Sequence, residues 1–541
     1  MEHQSATAAA FLGRARTIAG PEFNRWLVPP CALAMHLCIG MAYGFSVFWL
    51  PLSRALGISD SVVCKGLTLA QALTTTTCDW RVSDLVWTYT LFFVVLGAAA
   101  ACWGGWLEKA GPRRAGVAAA FCWCGGIGIA AIGVSIHQLW LIWLGAGLIG
   151  GIGLGLGYIS PVSTLIKWFP DRRGLATGMA IMGFGGGAMI GSPLADLLMK
   201  QFSSAHSVGV WQTFLSLACI YFAFMMVGAL GYRVPAEGWA PRGRTSPAGS
   251  HESIGRFNVH LRDAHRTPQF WLIWAVLLLN VSASIGVIGV ASPMLQETFG
   301  GRLINAPGLF FTAFDDSQKK AAAAVGAGFV GAISLFNIGG RFFWASLSDR
   351  IGRKPLFAAI LALGAILYGL ALPALAGTSL TLFILTFCVL ASMYGGGFAA
   401  APAYLADIFG TRYVGAIHGR LLTAWSTAGV LGPVLVANLR DSRIAAGIPR
   451  IQVYQPIYWL LAGMLVLGFV ANLLIRPVDL RFHMAEEDLS SDAMVDTGNA
   501  VAAVGTSATL DVKVLLAWAA VCVPIAWGIY MTLSKALILF K

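Results

Sequence analysis

Thirteen apolar stretches, each long enough to cross a hydrocarbon layer, constrain this chain more than any other feature. They cover residues 27–50, 85–107, 115–134, 139–163, 174–198, 210–231, 269–295, 322–347, 355–376, 379–404, 414–438, 453–475 and 513–540. About 20 apolar residues in a helix span a bilayer core ~30 Å thick. Backbone in lipid must satisfy its own hydrogen bonds, so stretches of this kind read as helices. Only 11% of the residues are charged and 57% are hydrophobic, whereas soluble domains carry about 25% charged residues. An all-α polytopic membrane protein is expected, with twelve spanning helices and one extra at the C-terminus. The first stretch is too long for a signal-peptide core and no small-residue cleavage site follows it, so it reads as a retained helix.

Lysine and arginine set the expected orientation. With a cytoplasmic N-terminus, 22 fall in inner segments and 10 in the outer loops between the first twelve helices, which by the positive-inside rule favours that topology. The net charge of +12 is mostly this signal. Nucleic-acid binding would need basic residues on one folded face with aromatics among them, and here they are scattered over short loops.

Two landmarks repeat. Glu108-Lys109-Ala110-Gly111-Pro112-Arg113 resembles Asp349-Arg350-Ile351-Gly352-Arg353-Lys354 at an offset of 241, and Phe169 and Phe409 lie 240 apart. Duplicated six-helix bundles follow, an architecture that binds substrate near the bilayer midplane. The expected organisation is a cytoplasmic tail at 1–26, a bundle at 27–231 with a long outer loop at 51–84, and a linker at 232–268. A second bundle at 269–475 with an outer loop at 298–320, a tail at 476–511 and a thirteenth helix at 512–541 complete it. The linker, rich in Pro, Gly, Arg and Ser, needs no chemistry.

Arg341 lies inside an apolar helix, about 12 Å from the charged turn at Asp349 by helical rise. A cation at that depth costs roughly 2.5–3.5 kcal/mol and usually faces a cavity, a partner or an anion. An anion site is the functional reading. The plain alternative is an arginine that snorkels to the helix end or caps carbonyls of a neighbour.

The paired turns resemble the loop signature of the major facilitator superfamily, which implies a major facilitator fold of two six-helix bundles plus the extra C-terminal helix. In that role Glu108, Arg113, Asp349, Arg350 and Arg353, with Asp171 and Arg172, would hold one conformation until transport breaks their contacts. Four stretches in chain order resemble the oxalate/formate antiporter family: Tyr158-Ile159-Ser160-Pro161 running to Trp168-Phe169-Pro170-Asp171-Arg172-Arg173-Gly174-Leu175-Ala176, then Arg266-Thr267-Pro268-Gln269-Phe270-Trp271, the Arg341 segment, and Asp407-Ile408-Phe409-Gly410-Thr411. That resemblance implies exchange or symport of small carboxylates through an aromatic-lined cavity. It places Arg341 on the family's carboxylate-binding arginine, Tyr43 and Tyr158 on aromatic site positions, and Phe184, Tyr394 and Phe398 on further ones. Taken singly, each of these aromatics is equally at home in packing or against lipid.

Two departures bear on substrate. The family's dicarboxylate exchanger sets a lysine in helix 11, and alignment through Gly419 and Gly432 puts Trp425 there. One cation facing a dianion leaves charge uncompensated, which favours a monocarboxylate. Arg420 could in principle substitute, but five residues rotate it about 140° around the helix. His36 stands at a family tyrosine position, seven residues before Tyr43 and on the same helical face. Its side chain suits proton coupling or, equally, packing as a neutral imidazole bonded to a carbonyl. Asn337 precedes Arg341 by one turn. Animal monocarboxylate transporters look similar there but carry an aspartate, and asparagine cannot carry a proton.

Glycine runs such as Gly145 to Gly157 and Gly185 to Gly187 lie inside apolar helices and suit close helix packing better than nucleotide binding. No metal-spaced His/Cys set appears, and neither enzyme chemistry nor a cofactor is expected. Cys64 and Cys78, alone of ten cysteines, lie in a polar outer loop and are candidates for a disulfide. The thirteenth helix resembles small one-helix subunits that accompany some transporters of this type.

The expected function is secondary transport of a small organic anion, a monocarboxylate such as formate, lactate or pyruvate, or oxalate/formate exchange. Proton-coupled monocarboxylate symport is the alternative, and a transporter-like sensor or channel is the rival from another class. The expected partners are the carboxylate, the lipid bilayer and, under symport, protons. The expected setting is a multi-pass protein of the inner membrane, as a monomer.

Overall fold

The computed structural model describes residues 11–20, 22–57, 62, 67–205, 207–236, 239, 241, 258–484 and 511–536. Each apolar stretch forms a helix. They are α1 (Arg25–Leu52), α2 (Val82–Ala110), α3 (Pro112–Ser135), α4 (Leu139–Trp168), α5 (Arg173–Phe202), α6 (Val210–Gly231), α7 (Pro268–Ile288), α8 (Ser317–Ile351), α9 (Arg353–Leu375), α10 (Leu380–Phe409), α11 (Val414–Ala445), α12 (Arg450–Leu474) and α13 (Val512–Ser534). Among the described residues there is no strand beyond isolated bridges. Several helices run a few residues past their apolar stretch, because polar residues outside the hydrocarbon continue or cap the last turn. At α8 the Asp315 carboxylate accepts the Gln318 amide and the Gln318 side chain answers the Asp315 amide, a reciprocal cap.

One stretch, expected to run to residue 295, is broken. α7 ends at Ile288 and a separate helix, Ala291–Phe299, follows. Pro293 lacks the amide that would bond back into α7, so the ladder stops and restarts there.

The chain divides into two units, residues 1–266 with 405–423 and 478–525, and residues 267–404 with 424–477 and 526–541. In the first, α1 and α5 touch backbone to backbone: a Cβ on Gly187 would lie 2.5 Å from the Gly40 Cα. Without a hydrophobic drive between helices in lipid, small residues at such crossings permit the packing that holds them. α1 is α-helical to Ile39 and tightens to a 3₁₀ helix over Gly40–Phe48. The repeated turns also repeat in backbone. Gly111 (φ 87°, ψ 160°) and Gly352 (φ 88°, ψ 157°) hold a conformation closed to residues with a Cβ, and each lets the chain reverse into the next helix.

Residues outside the spans between α1 and α2 fold around Asp79. Its buried carboxylate accepts the amides of Leu56 (2.7 Å), Gly57 (3.0 Å) and Val62 (3.0 Å). Next to it Trp80 stacks flat on His137 at 3.8 Å, and His137 Nε2 lies 2.9 Å from the Cys78 carbonyl. Cys78 is disulfide-bonded; Cys64, its expected partner, lies outside the described residues. So does most of the 232–268 linker and of the 476–511 tail. Val521 of α13 clusters with Leu33, Ala34 and Leu37 of α1, and Trp518 and Ile525 of α13 with Met182 and Ile190 of α5 pack against that cluster. The Trp518 indole donates to the Trp26 carbonyl at 3.1 Å.

Candidate functional site

Five of the expected residues meet in the second unit. Arg341 of α8 is wholly buried. One turn earlier Asn337 accepts its Nε at 3.1 Å and donates to the Ala391 carbonyl of α10 at 3.0 Å. The asparagine thus fixes the arginine's rotamer against a second helix. A Cβ on Gly395 would lie 3.0 Å from the Arg341 Cγ, so α10 comes this close only because glycine stands there. The Arg341 guanidinium carbon sits 5.8 Å from the Phe398 ring centroid, within cation–π range. Phe398 meets Tyr394 at 6.4 Å and Trp425 of α11 at 4.9 Å. Within these five side chains Arg341 carries the one formal charge, and Trp425 is a buried indole. Arg420 donates to the Leu261 carbonyl at 2.6 Å and meets His265 at 2.8 Å, in the first unit.

The remaining four cluster in the first unit. Phe184 of α5 is the hub: Tyr43 stands on it at 5.1 Å, Tyr158 at 5.3 Å and His36 at 6.2 Å, all edge to face. His36 and Tyr43 therefore share a neighbour although the helix changes pitch between them. His36 is buried, with Nδ1 2.6 Å from the Ala180 carbonyl and Nε2 3.2 Å from that of Tyr158. Its ring stacks on Tyr158 at 5.1 Å. Such aromatic walls exclude water and strengthen any charge interaction made inside them.

The expected gating residues divide. Glu108 pairs with Lys167 at 2.6 Å and accepts the Gly415 amide at the start of α11 at 3.0 Å. Asp171 takes both arms of Arg25, at 2.8 and 3.1 Å. Asp349 pairs within its own turn with Arg353 at 2.6 Å. Arg113 is buried and donates to the carbonyls of Phe11 (3.0 Å) and Tyr232 (3.3 Å). Arg172, before α5, and Arg350 are exposed.

Sequence reasoning missed three features. Arg173 pairs with Asp407 at 3.0 Å; both lie in quoted motifs, but nothing in sequence pairs residues so distant. Glu297 is held by Arg440 (2.5 Å), the Tyr454 hydroxyl (2.6 Å) and Arg450 (3.4 Å), and its trace was an acid close after an apolar stretch. His418 of α11 is buried, 5.8 Å from Tyr158; a histidine inside an apolar stretch was its signal. Among the described residues no cluster of three or more His, Cys, Asp or Glu could hold a metal ion.

The model of the Major Facilitator Superfamily matches residues 32–315 and 318–540. The chain is 26% identical over 424 residues to the oxalate:formate antiporter of Oxalobacter formigenes, covering 77% of this chain and 85% of that one. It is likewise 26% identical over 384 residues to apicoplast pyruvate carrier 1 of Toxoplasma gondii, covering 63% and 66%. Among solved structures, the Escherichia coli fucose:proton symporter superposes with a TM-score of 0.58 at 13% identity, over 84% of this chain and all of that one. These relatives are transporters, not enzymes, and the chain belongs to the major facilitator superfamily.

Proposed function

We propose that this protein is a secondary carrier of small organic anions, monocarboxylates foremost, working by alternating access in the inner membrane with its N-terminus in the cytoplasm. The observation that carries the reading is Arg341: a guanidinium buried in a spanning helix, oriented by Asn337 and faced by Phe398. A planar fork of donors fits a carboxylate with two parallel hydrogen bonds. The cost of placing a cation at such depth is offset when an anion binds there. Trp425 and Phe398 supply apolar surface for the rest of a small substrate. With one cation in that cluster, a monoanion is neutralised and a dianion is not. Two relatives, an oxalate:formate antiporter and a pyruvate carrier, support the carboxylate class. Glu108, Asp171 and Asp349, with the bases that hold them, would be broken and remade as the carrier cycles.

Counterflow in liposomes tests this. Vesicles loaded with unlabelled formate, lactate, pyruvate, acetate or oxalate should take up the labelled anion transiently above equilibrium, with monocarboxylates ahead of oxalate. A channel gives flux without overshoot, and a sensor gives binding without flux.

A further inference from the structure

His36 and His418 form a feature of the first unit that carboxylate recognition does not use. The His36 ring nitrogens each face a carbonyl oxygen, at 2.6 and 3.2 Å. A carbonyl only accepts, and a neutral imidazole has one N–H to give. An imidazolium has two, so the protonated ring alone satisfies both contacts. His418 is buried and its Nδ1 has no hydrogen-bond partner within the protein, an arrangement costly for a group without a role. Both rings lie on Tyr158, at 5.1 and 5.8 Å. Two imidazolium charges this near in a buried aromatic cluster repel, so the pair takes one proton.

The other groups around them leave that proton to the histidines. From α1 comes Tyr43 and from α4 Tyr158, and from α5 come Phe184 and the Ala180 carbonyl. Glu108 of α2 is engaged by Lys167 of α4 and by the amide of Gly415, three residues before His418 on α11, and Arg420 turns to Leu261 and His265. We propose that His36 and His418 together bind a single transported proton, held at the two-carbonyl seat of His36 and handed on through His418, so that anion uptake is coupled to proton uptake. This rests on the carrier reading above and goes beyond it by assigning the coupling ion and its residues. Nothing is oxidised or reduced: the N–H bond formed at His36 on uptake breaks as one forms at His418, and that bond breaks in turn when the proton is released to water.

The test uses the full chain in liposomes, with labelled formate and pyruvate as probes. Two quantities are read: counterflow at equal pH, and accumulation driven by an inward proton gradient. For one proton per monoanion, a gradient of about one pH unit drives about tenfold accumulation. Wild type should approach that. His418→Gln should keep counterflow and lose most of the accumulation. His36→Gln should lower accumulation relative to its own counterflow, and the double variant should go no further, as expected of two groups sharing one proton. Gradient-driven accumulation that survives in His418→Gln, or wild-type counterflow without accumulation under the gradient, overturns the inference and leaves the carrier reading standing. A His418→Gln protein that has lost counterflow as well overturns it too, since His418 would then serve translocation itself; His418→Asn repeats the measurement in a smaller amide. Absence of counterflow in the wild type with either probe removes the carrier reading and the inference with it.

Discussion

Arg341 and Asn337 form one hydrogen-bonded unit, because the asparagine ties the arginine's Nε to α8 and to the Ala391 carbonyl of α10 at once. Asn337→Ala should free the guanidinium to sample other rotamers. A lost hydrogen bond to a charged group is worth about 1.5 kcal/mol, so the KM for a monocarboxylate should rise about tenfold with kcat little changed. Steady-state uptake against concentration reads this, and an unchanged KM would mean that packing alone orients Arg341. Charge sets the second prediction. Trp425 packs on Phe398, which in turn faces Arg341, so Trp425→Lys brings a second cation to the cluster. Oxalate should then gain on formate in competition assays; an unaltered ratio would place the dianion determinant elsewhere. Arg341 was legible in sequence because a lone arginine in an apolar helix is costly and therefore conspicuous. Asn337 was legible as a neighbour one turn away, but its second bond, to α10, was not, since only the fold brings Ala391 to it.

Among the elements, the segment between α1 and α2 is tied together by side chains, with Asp79 at its centre and Trp80 stacked on His137. Burial pushes the His137 imidazole below its ordinary 6.5, while the Cys78 carbonyl and Asp79 pull it back up. The sign follows directly. The released ring takes up a proton more readily than the stacked one, so the contribution of this contact is fully present above about pH 6.5 and is lost as pH falls below it. Protection of the Leu56, Gly57 and Val62 amides from hydrogen exchange, after division by the intrinsic rate at each pH, should fall between about pH 7 and 5, and His137→Phe should abolish that change. An exchange rate equally pH-dependent in both proteins would assign the effect to another group. A bond between Cys64 and Cys78 would close a loop of about 15 residues and stabilise it by up to ~3 kcal/mol. Both thiols reacting with an alkylating reagent in unreduced, denatured protein would rule it out. Helix positions were readable from hydropathy because lipid forces each span to be a helix. The stop at Gly289–Val290 was missed because an apolar run does not register where Pro293 removes a backbone donor.

At the scale of the whole molecule, the repeated turns at Gly111 and Gly352 share one backbone conformation, and their neighbours differ. Glu108 reaches Lys167 and the start of α11, whereas Asp349 closes on Arg353 within its own turn. The repeat of these turns was legible from their 241-residue offset. The pairing of Arg173 with Asp407 and of Glu297 with Arg440 was not, because residues so far apart in sequence are joined only by folding. What unites these parts is the claim that a carboxylate carrier recognises its substrate through Arg341. The most direct measurement is counterflow of labelled monocarboxylate by wild type, Arg341→Lys and Arg341→Ala, reconstituted in matched amounts and each verified to be folded by its elution as a single species. Lysine keeps the charge and loses the planar fork, so the account predicts overshoot in the wild type, a loss of about tenfold or more in rate for Arg341→Lys, and none above background for Arg341→Ala. Near-normal overshoot in Arg341→Ala would contradict it.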